Sequence, residues 1–344
     1  MQVIRSGVLI ATFVAVSQMG CRSESRASTE TGIELELVST LGSPDDPASP
    51  HVLATVTAWS EGRFVVAPTY DDGTLHIYSS QGPLIGQLGG SGEGPGEFSP
   101  ISIFAARTVG GTLWVATQHD PRLTGFPPEA RVPQVVPTTW PVLDFVPISQ
   151  DRVLLTAFGP AAPSLVLLDL TSGVTRDLPL SADLRSSDGN RGLVLGRGSD
   201  GSAWIASADS GLVAPVTPSG VMSRRFSIST EIPSAGGGGL QAPRIYALWE
   251  GDGVLWVLVS LNTEVLTGGA IDVGFMDRYF DTLILALDLE TGAEVARGLD
   301  DRFLSPSWST DRDLVSHVFE TGTGDTRIEI LQIKLDPALD TVGS

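Results

Sequence analysis

The sequence contains GTLWVA at residues 111–116, GSAWIA at residues 201–206 and GVLWVL at residues 253–258. Each stretch begins at a glycine and continues as an apolar run around a tryptophan, which is the pattern of a buried β-strand that follows a tight turn. Looser copies, in which an aliphatic residue replaces the tryptophan, begin at Gly62, Asp151 and Asp311, so that the six copies start 49, 40, 50, 52 and 58 residues apart. The chain therefore contains an imperfect repeat with a period of about 50 residues.

Most copies are followed by a second apolar segment and then by a polar turn that ends in glycine. These turns occupy residues 79–82, 171–173, 217–220 and 290–292. Polar, glycine-ended turns between apolar runs indicate β-hairpins. A repeat built only from strand-like segments predicts an all-β fold, a β-propeller with four strands in each blade. We find no stretch with the 3.6-residue periodicity that the helices of a parallel α/β fold would need.

The number of copies predicts six blades, and the 58-residue interval before the last copy leaves five or seven blades open. The last blade, from about Phe303 to Leu335, has only three strand-like segments. Residues 33–38 alternate between polar and apolar side chains, and we expect them to supply the missing fourth strand beside residues 327–335. Closure by strands from both termini would remove free sheet edges. We also expect the repeat tryptophans to pack between neighbouring blades.

The N-terminal region predicts export. Residues 1–21 carry one basic residue followed by an apolar run that suits a signal peptide and is too short to span a bilayer. Cys21 follows this run and resembles the lipidated cysteine of a bacterial lipobox, which implies a lipid anchor at the cell envelope. Ordinary secretion, to the periplasm or the medium, is the alternative. We therefore expect a signal peptide over 1–21, a flexible tether over 22–32, a single propeller over 33–337 and a C-terminal tail over 338–344.

The chain is acidic, with 21 basic and 40 acidic side chains and a formal net charge of −19. Such a charge repels phosphate backbones and anionic membrane surfaces, so we expect no nucleic acid partner and no membrane contact apart from the lipid anchor. Because Cys21 is the only cysteine, the sequence predicts no disulfide framework.

Residues 86–98 read GQLGGSGEGPGEF and are the most specific stretch of the sequence. From Gly90 to Phe98 they resemble the G-x-G-x-G-P-G-E-F signature of NHL-like six-bladed β-propellers, a family that includes many bacterial lipoproteins. The resemblance implies the fold and export, and it leaves activity open because the family contains binding proteins and some enzymes. No strand–helix unit surrounds the glycines, so we interpret the stretch as a crossover between blades, with glycines at positive φ and Phe98 packed between sheets.

Motifs for catalysis are scarce. The sequence has no Gly-x-Ser-x-Gly motif, and its four histidines are widely separated. His119 and Asp120, which follow a repeat strand, form the pair that we predict to face a ligand. A long insertion, residues 262–281, carries Phe275 and Tyr279, which we predict either to pack on the propeller or to cap a ligand pocket or dock a partner.

The sequence predicts no metal site and no cofactor. Calcium is an alternative at three acidic pairs, which we place in solvated turns at residues 45–46, 71–72 and 300–301.

Two functions are consistent with the sequence. The first is a non-catalytic propeller that binds a protein or a glycan at the cell surface. The second is a metal-dependent hydrolase or lyase, similar to lactonase propellers, which would need several Asp, Glu, Asn or His side chains at the propeller axis. The lack of a recognisable ligand set favours the first function, and the sequence leaves the question of catalysis open.

Overall fold

The computed structural model describes most of the chain between residues 32 and 336. The described segments are 32–43, 54–60, 62–68, 73–99, 103–117, 119–129, 132–157, 164–184, 192–199, 201–208, 210–228, 243–262, 276–277, 279–321 and 325–336. Within them the regular structure consists of β-strands and one short 3-10 helix, Ala182–Leu184. The predicted signal peptide with Cys21, most of the tether, the C-terminal tail and Phe275 lie outside the described residues.

The strands form six antiparallel meanders, which we number in chain order. Meander 1 consists of β2 (Ala54–Ala58), β3 (Arg63–Pro68), β4 (Thr74–Ser79) and β5 (Leu84–Gly89). Meander 2 consists of β6 (Ile103–Val109), β7 (Thr112–Thr117), β8 (Arg122–Phe126) and β9 (Gln134–Pro137). Meander 3 consists of β10 (Val142–Pro147), β11 (Arg152–Ala157), β12 (Ser164–Asp169) and β13 (Thr175–Leu178). Meander 4 consists of β14 (Leu193–Arg197), β15 (Ala203–Ser207), β16 (Leu212–Thr217), β17 (Gly220–Val221) and β18 (Phe226–Ser227). Meander 5 consists of β19 (Arg244–Gly251), β20 (Val254–Asn262), β21 (Phe280–Asp288) and β22 (Glu294–Asp300). Meander 6 consists of β23 (Ser305–Trp308), β24 (Leu314–Glu320), β25 (Thr326–Leu335) and β1 (Ile33–Leu41).

The repeat copies coincide with the second strands of the six meanders, β3, β7, β11, β15, β20 and β24. The four predicted turns follow the third strands of meanders 1, 3, 4 and 5 and lead into the next strand of the same meander. The prediction of an all-β fold built from a four-stranded repeat is therefore confirmed at the level of secondary structure and pairing.

The two terminal strands lie in one sheet. β1 pairs antiparallel with β25, from Ile33 opposite Leu335 to Leu41 opposite Ile328, with a register shift between Leu37 and Ser39. The fourth strand of meander 6 thus comes from the N-terminal side of the chain, in the predicted pairing.

Among the described residues six hydrophobic clusters form the core. Each one fills the space between two meanders, and the cluster between meanders 3 and 4 also includes Trp308 of meander 6. Trp114 packs between meanders 2 and 3, Trp204 between meanders 4 and 5, and Trp256 between meanders 5 and 6. These three side chains are at most 3% exposed. The predicted position of the repeat tryptophans between sheets is confirmed, and it follows from the need of each sheet to cover its second face.

The glycine-rich stretch 86–98 leads from meander 1 towards meander 2. Gly89 has a φ of +79°, and a Cβ there would lie 2.8 Å from the Gly73 carbonyl oxygen and 2.9 Å from the ring of Phe98. Phe98 is fully buried in the cluster between the two meanders, with its ring centroid 6.1 Å from that of Phe126. Both predictions for this stretch, a glycine at positive φ and a phenylalanine between sheets, are confirmed.

Of the acidic pair at 300–301, the predicted turn position is confirmed for Asp301, which is exposed in the bend after β22, and differs by one residue for Asp300. Asp300 is the last residue of β22, and its two carboxylate oxygens accept hydrogen bonds from Nε and Nη2 of Arg302, each at 2.8 Å. This ion pair holds the carboxylate against the connection to meander 6 instead of leaving it in a solvated turn. The acidic pairs at 45–46 and 71–72 lie outside the described residues.

Candidate functional site

A narrow cavity lies where first strands of five meanders converge. It is lined by residues of β6, β10, β14, β19 and β23 and of the loop that follows β23, among them Arg107, Asp144, Arg197, Ser307, Trp308 and Arg312. Its volume is about 50 Å³, which admits a few water-sized groups and is far below the roughly 300 Å³ of sites for larger organic ligands. We call it the central cavity.

Three contacts hold Arg107 at the central cavity. Its Nη2 donates to Asp144 Oδ1 at 3.2 Å, and its Nη1 donates to the Ala106 carbonyl oxygen at 2.9 Å. The guanidinium also lies over the Trp308 ring, 5.1 Å from the ring centroid, which is a cation–π distance. Burial raises the pKa of the Asp144 carboxyl, while the Arg107 charge and the Phe145 N–H act in the opposite direction.

Asp313, between β23 and β24, is buried among hydrogen-bond donors beside the central cavity. Its Oδ1 accepts from Arg197 Nη2 at 3.0 Å and from Trp249 Nε1 at 2.9 Å. Its Oδ2 accepts from Trp256 Nε1 at 3.3 Å. Burial raises the pKa of the Asp313 carboxyl, and the Arg197 charge opposes that rise. One carboxylate therefore links meanders 4, 5 and 6.

Two repeat tryptophans donate their indole N–H to a carboxylate of the next meander. Trp204 Nε1 donates to Glu250 Oε2 at 3.1 Å, just as Trp256 Nε1 donates to Asp313. Both acceptors lie at or near the turn between the first and second strands of the following meander. Trp204 and Trp256 thus each contribute a hydrogen bond across the interface as well as apolar contact.

A second polar cluster lies between meanders 5 and 6. His317 Nε2 lies 2.7 Å from Asp277 Oδ2, and His317 Nδ1 lies 3.4 Å from Glu329 Oε2, which also accepts from Arg302 Nη1 at 3.4 Å. Asp277 belongs to the insertion between β20 and β21, and its Oδ1 accepts from the Phe303 N–H at 2.6 Å. The cluster fastens one end of the insertion to the following meander.

Two neighbouring carboxylates favour the protonated form of His317. Burial favours the neutral imidazole, but hydrogen bonds to Asp277 and Glu329 and the Asp277 charge outweigh that effect and raise the pKa of His317 to about 9. In this protonated form both ring nitrogens are donors, and an imidazolium has no lone pair for a metal ion or for a substrate proton.

We expect the stability of the protein to depend on this protonation. A group whose pKa rises on folding stabilises the folded state fully below its unfolded value, near 6.5, and loses that contribution as the pH rises through about 9. Urea denaturation should therefore show the free energy of unfolding falling by roughly 3 kcal/mol between about pH 6.5 and about pH 10. His317→Gln should remove most of this slope, whereas His119→Gln, at an exposed histidine, should retain it. Equal slopes for His317→Gln and the unsubstituted protein would contradict the ion-paired assignment.

The residues predicted to face a ligand lie away from the central cavity. His119 is exposed, while Asp120 accepts from Thr117 Oγ1 at 3.2 Å and lies 3.6 Å from Arg122 Nη2. Tyr279 is partly buried near the end of the insertion. None of the three lines the central cavity, and whether any of them faces a ligand stays a prediction.

The insertion packs on the propeller at its C-terminal end. Phe280 lies with its ring centroid 5.8 Å from that of Phe303, in the connection to meander 6. The part of the insertion that carries Phe275 lies outside the described residues, so the prediction that it caps a pocket or docks a partner is not tested.

Within the described segments, no group of three or more His, Cys, Asp or Glu side chains is placed to hold a metal ion. In that same part of the chain, no helix has both the length and the apolar character needed to cross a membrane.

No family model matches this chain, and no curated protein matches it in sequence. Solved structures do resemble it. A member of the DUF4221 family from Bacteroides vulgatus superposes with a TM-score of 0.63 at 9% identity, over 89% of this chain and 100% of that one. A protein from Bacteroides fragilis whose name describes it as exported gives 0.61 at 12% identity, over 91% and 98% of the two chains. Virginiamycin B lyase from Staphylococcus aureus gives 0.51 at 11% identity, over 87% and 99%.

At these identities the similarity concerns the fold alone. Taken with the strand order, it identifies the chain as a protein with a β-propeller fold.

Proposed function

We propose that this chain is an exported, lipid-anchored, six-bladed β-propeller that acts as a non-catalytic binding module at the cell envelope. Its partner would be a protein or a glycan at the cell surface, and its membrane contact would be the lipid on Cys21. In this proposal it belongs to the NHL-like propellers that its sequence from Gly90 to Phe98 resembles.

The six-bladed, closed ring is supported by the arrangement of the core. The clusters join each meander to the next one, and the sixth joins meander 6 back to meander 1 through Leu41, Val56 and Ile330. The first strands of these two meanders also pair in parallel, with Val56 opposite Ser307. Each meander is then a blade, and β1 closes the ring beside β25.

The observation that carries binding over catalysis is the packing of His317 against its neighbours. His317 is the histidine that the structure brings together with two carboxylates, Asp277 and Glu329, which is a combination that metal sites and acid–base catalysts use. His317 lies 2.7 Å from Asp277 and 3.4 Å from Glu329, and Asp277 also accepts from the Phe303 N–H, so we infer that the three side chains form a structural contact between the insertion and meander 6.

The second candidate function is a metal-dependent hydrolase or lyase with its site at the propeller axis. The similarity in fold to virginiamycin B lyase supports it. This candidate requires several oxygen or nitrogen ligands that converge on one point.

The metal requirement separates the two candidates in a thermal unfolding experiment. The mature protein is treated with EDTA, and its melting temperature is measured before and after addition of Ca²⁺, Mg²⁺, Mn²⁺ or Zn²⁺. A ligand that binds only the folded state raises the melting temperature, so the binding module should show no shift with any of the four ions. A shift of several degrees with one ion, saturating at one equivalent, would favour the enzyme.

The lipid anchor is tested by fractionating bacterial cells that express the full chain. We expect the protein in the membrane fraction, labelled by radioactive palmitate and released by detergent. Cys21→Ser should abolish the label and the membrane association, whereas Ser23→Ala, two residues further on, should change neither. Unlabelled protein that is soluble in the periplasm would replace the anchor with ordinary secretion.

A further inference from the structure

Trp140, in the connection between β9 and β10, lies at the surface. It is 41% exposed, whereas each of the six other tryptophans is at most 9% exposed. Its indole N–H donates to no residue in the described part of the chain. A single exposed aromatic residue is ordinary, so the surroundings of Trp140 decide whether its face serves a ligand.

Trp140 borders a cavity of about 170 Å³ between meanders 2 and 3, which we call the side pocket. Its apolar lining consists of Leu155, Ala157 and Val166, which belong to the cluster between these two meanders. Asp177 of β13 lies opposite Val166 in the sheet. Because residues opposite each other in an antiparallel pair point to the same face, Asp177 places a carboxylate beside this apolar surface.

The polar lining of the side pocket has unused hydrogen-bonding capacity. It consists of Thr138, Thr139, Thr175 and Asp177. Among the described residues, the side chains of Thr139, Thr175 and Asp177 form no hydrogen bond or ion pair. The side pocket therefore offers two hydroxyls that donate or accept, a carboxylate that accepts and, with Trp140, an indole N–H that donates.

The segment that carries Trp140 is held in place without a ligand. It reads PTTWP at residues 137–141, and the proline at each end fixes its own φ. The Thr138 N–H donates to the Pro121 carbonyl oxygen at 2.7 Å, and Thr138 Oγ1 donates to the Trp140 carbonyl oxygen at 2.8 Å. A ligand would therefore have little backbone to order when it binds.

Charge and size narrow the class of ligand. Asp177 is the charged residue among the described side chains of the lining, and the formal net charge of the chain is −19, so an anion is disfavoured. The volume corresponds to roughly six water molecules at about 30 Å³ each, which is similar to one sugar ring. Larger organic ligands need sites of about 300 Å³ or more.

The mixture of donors and acceptors distinguishes a sugar from an organic cation. An alkylammonium ion suits a carboxylate and an aromatic face, but it has no acceptor for the Trp140 indole N–H. Each sugar hydroxyl both donates and accepts. The C–H groups on one face of the sugar ring also suit the electron-rich face of an indole.

We propose that the side pocket binds one uncharged sugar ring of a glycan, stacked on Trp140 and with hydroxyls that donate to Asp177. This inference rests on the proposed function, because it selects the glycan from the two partner classes given there. The side pocket lies between meanders 2 and 3 and shares no lining residue with the central cavity.

An NMR titration of the mature protein with ¹⁵N-labelled tryptophan tests the proposal. The chain has seven tryptophans, and the indole signal of Trp140 is the one that disappears in Trp140→Phe. Glucose, galactose, mannose and N-acetylglucosamine are added in turn, in the presence of EDTA. We expect at least one of them to shift the Trp140 signal saturably, with a dissociation constant of about 1–10 mM, while the signals of the buried tryptophans stay in place.

Asp177→Ala should raise this dissociation constant about tenfold or more, because it removes the charged acceptor of the sugar hydroxyls. Asp177 is exposed on the outer strand of meander 3, so the fold should tolerate the change. Asp311→Ala is the matched control, since Asp311 has a side chain 73% exposed and lies outside the side pocket, and it should leave the dissociation constant unchanged.

Three results would overturn the proposal. They are a Trp140 signal that none of the four sugars shifts, unchanged affinity in Asp177→Ala, and a saturable shift with tetramethylammonium chloride but with no sugar. Each of them would leave a non-catalytic module with a protein partner in place. A metal-induced rise in melting temperature with sugar binding intact would instead remove the non-catalytic function and leave the side pocket as proposed.

Discussion

Replacing Asp313 by alanine should lower the free energy of unfolding by about 3–5 kcal/mol, because it leaves a buried arginine without its counter-charge. The Asp313 side chain is 5% exposed and that of Arg197 is 16% exposed, so water cannot take over the role of the carboxylate. The indole N–H groups of Trp249 and Trp256 lose their acceptor in the same step. Urea denaturation of the purified protein measures the change.

Two further variants separate charge from hydrogen bonding. Asp313→Asn keeps one acceptor oxygen and most of the shape, so it should cost less than Asp313→Ala. Because burial raises the pKa of Asp313 against the pull of Arg197, the pair is held at a desolvation cost, and Arg197→Met combined with Asp313→Leu should be less destabilising than Asp313→Ala alone.

Asp311→Ala is the matched control for this series. Asp311 lies in the same loop with its side chain 73% exposed, so its loss should cost about 1 kcal/mol or less. Asp313→Ala and Asp311→Ala proteins of equal stability would refute the role assigned to the buried carboxylate.

The fold could be predicted because its signals are local. A glycine, an apolar run and a tryptophan recur within each repeat, so the six second strands follow from single stretches of sequence such as residues 111–116. The pairing of β1 with β25 could also be predicted, since both segments alternate and a sheet edge needs a partner. In each case the physical cause acts over a few residues or between two segments of recognisable pattern.

The central cavity could not be predicted because its residues share no local signal. Arg107, Asp144 and Trp308 come from three different meanders, and the contact between Arg107 and Asp144 joins residues 37 positions apart. Any strand can carry one charged residue on a solvated face, so each of them looks ordinary alone. Only the convergence of first strands makes them neighbours, and no local sequence pattern encodes that convergence.

His119 and His317 differ in how visible their surroundings are in the sequence. His119 follows a repeat strand and precedes an acidic residue, which gives it a pattern that sequence can detect. His317 lies inside β24, and its partners Asp277 and Glu329 reach it from an insertion and from the next strand. His317 therefore has two carboxylate neighbours in the structure, although no sequence pattern around it indicates them.

Replacing Phe98 by alanine should destabilise the protein by about 3–5 kcal/mol, since it empties a fully buried aromatic position between two sheets. The ring packs in the cluster that joins meanders 1 and 2, and its Cε2 lies 2.9 Å from the position that a Cβ of Gly89 would take. The neighbouring backbone is fixed by the Gly73 carbonyl oxygen, which accepts the Gly90 N–H at 3.1 Å. The surroundings can therefore collapse only partly into the space, and the cavity adds to the lost burial.

Urea denaturation of three variants tests the position. Phe98→Leu fills part of the volume and should fall between the unsubstituted protein and Phe98→Ala. Ile85→Ala, at a residue 53% exposed on the neighbouring strand β5, should cost about 0.5 kcal/mol or less. If Phe98→Ala costs no more than Ile85→Ala, the phenylalanine of the glycine-rich signature does not join the two meanders. A large loss of stability for Phe98→Ala, with little loss for Ile85→Ala, would give a physical reason why glycines and a phenylalanine occur together in this stretch. The glycines let the backbone approach closely enough for the ring to fill the gap between the sheets.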